Sequence, residues 1–125
     1  MDWDNPERTV IRVTFEGVWG ADDIYRLINK GVSMLESVDH PVDYIFDLSL
    51  STFSPRNLLT TANAMEKAHH KNHRLVIVVN ANVYIRSILK VGKVFAPKIL
   101  ADLHFVNSVD QAYDIIHKHV NTMIS

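Results

Sequence analysis

The chain contains no cysteine. Disulfides, thiolate metal sites and cysteine nucleophiles are therefore excluded. Strong net charge is absent too. The formal value is -1 with histidine neutral, so no general field draws in nucleic acid or an anionic membrane. No stretch approaches ~18 consecutive apolar residues, the minimum for a helix that crosses a bilayer. The first residues, Met-Asp-Trp-Asp-Asn-Pro-Glu-Arg, have neither the basic start nor the apolar run of a secretory signal. A cytoplasmic location is the expectation. There is no Gly-x-Ser-x-Gly elbow, no phosphate-cradling glycine loop and no Gly-x-Gly-x-x-Gly fingerprint. The chain reads as non-catalytic and without a cofactor.

What is present is an ordinary globular composition. Hydrophobic residues make up 47% of 125 and charged residues 22%. At this length, one domain burying roughly 65% of its unfolded surface is expected. No repeat, linker or low-complexity tract interrupts it. Residues 1–8 read as a loosely held segment or a short edge strand around Trp3, and residues 9–125 as one α/β domain.

Strand and helix patterns alternate along that domain. Thr9 to Phe15 is β-branched and alternating, a strand signature. Gly17 and Gly20 follow it. Ala21 to about Val38 carries an apolar stripe at helical spacing through Ile24, Leu27, Ile28 and Leu35, with Asp22 and Asp23 at the positive helix end. Val42 to Leu48 is a second strand. Its centre, Tyr44-Ile45-Phe46, suits burial on both faces. Ser54 and Pro55 have N-cap and N1 character, opening a helix to about Lys71. Leu75-Val76-Ile77-Val78-Val79 is the strongest strand, expected at the centre of the sheet. Val83 to Phe95 is a third helix. Leu103 to Val106 is a short strand, and Ser108 with Gln111 forms a capping-box pattern for the last helix. Strands alternating with helices imply a mainly parallel sheet of four to five strands flanked by four helices.

This order of elements resembles the STAS domains, the family of anti-sigma-factor antagonists. The resemblance rests on Phe46-Asp47-Leu48-Ser49 with Phe53 beyond it, on Arg74 to Val79, and on Phe105 to Ala112. The family's Asp-Ser-Ser/Thr-Gly phosphorylation motif falls near Pro55-Arg56-Asn57-Leu58. No hydroxyl residue or glycine stands there, so the phosphoacceptor does not carry over. The resemblance implies a regulatory module that meets a protein partner of anti-sigma or sensor type at the start of the second helix. Some relatives are thought to hold small or lipid-like ligands instead.

Ligands and partners favour the carboxyl ends of parallel strands. Those ends hold Asp47, Ser49, Ser54, Arg56, Asn57, Asn80 and Asn82, with Trp19 and Phe53 beside them. This set is the candidate partner- or ligand-binding site, read as a loop from Asp47 to Asn57. A plainer role for Asp47, Ser49 and Ser54 is local bonding to backbone. The alternative function is a small-molecule carrier in which Trp19, Phe53, Leu59 and Val83 line an apolar pocket under the same edge.

Seven histidines raise the question of a metal. His69 and His73 are four apart, but the helix is expected to end between them. His117 and His119 point in different directions on a helix. No metal site is expected. Arg86, Lys90 and Lys93 share a helix face near Lys98 and read as a solvated stripe. Self-association through Trp3 or the third helix stays open.

Overall fold

The computed structural model describes residues 1–17, 21–51 and 55–124. Five strands form one sheet in the order β1-β2-β3-β4-β5. They are β1 (Asp2–Trp3), β2 (Val10–Gly17), β3 (Val42–Ser51), β4 (His73–Val79) and β5 (Leu103–Val106). The helices are α1 (Ala21–Glu36), α2 (Pro55–Lys67), α3 (Val83–Gly92) and α4 (Val109–Ile124). The pairs β2–β3, β3–β4 and β4–β5 are parallel, and β1 joins β2 antiparallel. The fold is the small α/β domain that the alternating pattern implies.

Trp3 does sit on a short edge strand, opposite Ile11. The central strand is β3, not β4, because β1 adds a strand on the amino-terminal side. β4 is nonetheless covered on both faces, which is why its run is almost wholly apolar.

Strand neighbours follow chain order. Right-handed crossovers between sequential parallel strands place their helices on one face. Ile11, Val13, Phe15, Tyr44, Phe46, Leu48, Val76 and Val78 point to that face and meet Leu27 and Leu35 of α1 and Ile85 and Leu89 of α3. Met65 of α2 packs against them. The opposite face carries Val10, Ile45, Leu75, Ile77, Val79 and Val106, covered by Ala112 and Ile116 of α4. Alternation along each strand therefore feeds two cores of unequal size.

Element ends follow local chemistry. Ile85 N–H donates to Asn82 Oδ1 at 2.8 Å and fixes the start of α3. Ahead of α4, Gln111 N–H donates to Ser108 Oγ at 3.2 Å. Gln111 Oε1 accepts from Asn107 N–H at 2.8 Å, one residue before the capping serine. Helix α3 stops at Gly92 rather than Phe95, continuing as turns closed by Phe95 N–H and Ala96 N–H on the Gly92 carbonyl. Helix α2 stops at Lys67 rather than Lys71.

A polar pair lies deep in the sheet. Asp43 is fully buried. It accepts from Arg74 Nε at 2.8 Å, Arg74 Nη2 at 2.6 Å and Leu75 N–H at 3.1 Å. The β3–β4 register shifts between Val42 and Tyr44. Hydrogen bonding to Asp43 holds the guanidinium above its usual pKa.

Candidate functional site

The strand β3 continues to Ser51, pairing Leu50 with Glu16 and Ser51 with Gly17. Asp47 and Ser49 therefore lie within a strand, not in the loop expected from Asp47 onward. This changes where they point. Side chains alternate across a strand, so Asp47 and Ser49 share the α4 side of the sheet with Ile45. Phe46 and Leu48 face the opposite way, toward α1, α2 and α3.

On the α4 side a polar chain crosses the sheet. Ser49 Oγ and Ser49 N–H both donate to Asp47 Oδ1, at 2.6 and 3.0 Å. Asn80 Nδ2 donates to Ser49 Oγ at 2.6 Å. Asn80 reaches it from a left-handed backbone, with φ 61°, a region asparagine tolerates better than most residues. Asp47 Oδ2 lies 3.7 Å from Arg12, and Arg12 lies 3.6 Å from Asp4. Asp4 accepts from the Tyr113 hydroxyl of α4 at 2.6 Å. Burial first, and then this bond, push the Tyr113 hydroxyl pKa upward.

Three of the expected site residues, Asp47, Ser49 and Asn80, are thus brought together. Asn82 is not with them, because its side chain caps α3. Trp19, Phe53 and Ser54 lie outside the described residues, as do the side chains of Arg56, Asn57 and Leu59. Val83 is 80% exposed on α3. Near it, Arg86 donates to the Ala81 carbonyl at 3.1 Å and sits over the Phe105 ring, so it is not simply solvated. Tyr84, Val91, Val94 and Phe95 are exposed there too.

Beneath α2 and α3, on the other face, lies a cavity of about 60 Å³. Its walls are Phe15, Phe46 and Leu48 of β2 and β3, Val76 and Val78 of β4, Ala62 and Met65 of α2, Leu89 of α3, and Ile99 and Leu100 beyond it. Every one of these side chains is apolar. Ala62 leaves room where a larger residue would close the gap. A void of this size costs on the order of 1.4 kcal/mol in lost packing.

A second, smaller space of about 20 Å³ adjoins it, with Met65 and Ile99 lining both. Its wall includes Tyr44, Gly31, His69, His70 and His73. The ring of His73 lies 5.2 Å from that of Tyr44 and 5.5 Å, edge-on, from that of His69. Among the described residues, both ring nitrogens of His73 are buried without a hydrogen-bond partner. Burial lowers its pKa to about 4, helped by His69 and opposed by Asp43 and Glu66. Burial likewise lifts Tyr44 to about 12. Both groups are neutral near pH 7. His104 on β5 is partly exposed and pairs with Asp102 at 2.9 Å.

Gly31 serves the second space by what it lacks. A Cβ there would come within 2.8 Å of the Tyr44 hydroxyl. An exposed helix gains roughly 1 kcal/mol when glycine becomes alanine. Here Gly31→Ala should destabilise instead. The same change in a Tyr44→Phe background should recover the helix gain. Urea midpoints of the four proteins measure this, and an additive double mutant would show that the hydroxyl is not the obstacle.

Fold and cavity together define a small α/β domain with an apolar-lined cavity between its sheet and the helices of one face. The chain belongs to the divergent CRAL/TRIO domain family, which it matches over residues 7–122. This is a different family from the STAS domains; the likeness to those stops at a sheet flanked by helices. No curated protein matches the chain. Among the described residues no helix is long and apolar enough to cross a membrane.

Proposed function

We propose that this protein is a non-catalytic carrier of a small lipophilic molecule. The carrying observation is the cavity under α2 and α3, whose lining side chains among the described residues are all apolar. Water gains little in such a space, whereas an apolar guest recovers the missing packing. CRAL/TRIO-like domains usually bind small lipophilic ligands, which favours the same reading. The rival reading is a regulatory module that binds a protein through the end of β3 and the start of α2. Its polar residues Asp47, Ser49 and Asn80 bond to one another, and nothing supports an anti-sigma partner.

Native mass spectrometry of freshly purified protein, followed by solvent extraction, tests the carrier. A one-to-one adduct with an apolar small molecule is expected. Ala62→Leu fills the cavity and should cut occupancy at least about tenfold, at a stability cost of about 1–3 kcal/mol. A clean apo mass together with a co-purified protein would turn the choice to the module.

A further inference from the structure

Two buried nitrogens without partners are uncommon, because an unpaired polar group in a dry interior is costly. His73 presents both of its ring nitrogens in this state while only 9% exposed. It lines the smaller space, and that space meets the apolar cavity at Met65 and Ile99. The Tyr44 side chain lines it too, in the room that Gly31 leaves. At about 60 and about 20 Å³ the two spaces are smaller than an eight-carbon chain, so an elongated guest enters both only by turning Met65 aside, and methionine is the side chain best able to move in this way.

We propose that the space beside His73 receives the hydroxyl group of an alcohol-type lipophile whose apolar body occupies the adjoining cavity. The proposal rests on the carrier reading and adds the chemistry of the guest's polar end. Two observations select a hydroxyl. A neutral imidazole offers one donor and one acceptor on opposite edges of the ring, and a hydroxyl can answer whichever of the two meets it, donating to the bare nitrogen or accepting from the N–H. The space of about 20 Å³ holds one water-sized group, so a single oxygen fits where a carboxylate or phosphate is crowded. Charge disfavours an anion as well. Asp43 and Glu66 already act on His73 electrostatically, with His69 the nearby basic group, and a carboxylate buried beside a neutral ring would lack a counter-charge.

The test uses octan-1-ol, octanoate and n-octane as probes of equal chain length, titrated calorimetrically into the full chain at pH 7. Octan-1-ol should bind about tenfold tighter than n-octane, the worth of one well-made hydrogen bond, and tighter than octanoate. His73→Leu should erase the advantage of the alcohol over the alkane. His73→Gln keeps a donor and an acceptor and should retain part of it. The nitrogen NMR signals of the His73 ring in the unaltered protein should move with octan-1-ol and not with n-octane, which decides the matter even if a variant fails to fold. Tighter binding of octanoate, an unchanged alcohol-to-alkane ratio in His73→Leu, or unmoved ring signals would each overturn the assignment. Binding of n-octane without any preference for the alcohol removes this inference and leaves the carrier standing. Failure of all three probes to bind removes both.

Discussion

Asp43→Ala should cost about 3–5 kcal/mol of folding stability, the range seen when one member of a buried ion pair is deleted. A domain of this size has only about 5–15 kcal/mol in total, so the loss is a large fraction. The reason lies in what remains. Asp43 is fully buried and accepts three hydrogen bonds, two from Arg74 and one from Leu75 N–H. Without it a guanidinium whose side chain is only 17% exposed loses its carboxylate, and a buried backbone N–H loses its acceptor. The pair itself need not be strongly stabilising, since its desolvation offsets much of its attraction. Replacing both residues with leucine should therefore recover part of the loss, but not the part due to Leu75 N–H. Urea denaturation of the single and double variants measures this. A single variant within 1 kcal/mol of the parent would mean that Arg74 finds solvent.

Acid should weaken the fold by about 3 kcal/mol through His73 alone. Its pKa is about 4 in the folded chain against an ordinary value of 6.5. Between these values the unfolded chain takes up a proton that the folded chain refuses. Stability is thus complete above pH 6.5 and is lost as pH falls toward 4, at up to about 1.4 kcal/mol per pH unit. Burial is the main cause. His69 adds to it, and Asp43 and Glu66 act against it. His73→Leu removes the titrating group, so its urea midpoint should fall less than the parent's from pH 7 to 4.5. Parallel decline in both proteins would place the acid sensitivity elsewhere, for instance among the carboxylates.

The sequence made the layered α/β order legible because strand and helix periods are local properties. The apolar run Leu75 to Val79 and the Ser108–Gln111 cap could be placed from neighbours alone. The candidate site was harder. Asp43, Asp47 and Ser49 occupy alternate positions of β3, and that period of two was a signal for a shared polar face. Reading the segment after Asp47 as a loop concealed it, since serine and aspartate are as common in turns as on a strand facing a polar network. The His73 space gave no local signal beyond the His69–His73 spacing. It is assembled from β3, β4, α1, α2 and the segment around Ile99, and only the folded chain brings those together. The same holds for Asp43 and Arg74, 31 residues apart.

The neighbour-by-neighbour order of the strands has a consequence during synthesis. Each new strand docks beside the one just made, so the chain through α3 can assemble as it emerges, without waiting for a distant partner. The face bearing Val10, Ile45, Leu75, Ile77 and Val79 then stays bare until α4 emerges and closes over it. A nascent or prematurely stopped chain exposes a sticky greasy plane, and chaperone dependence should centre on that interval.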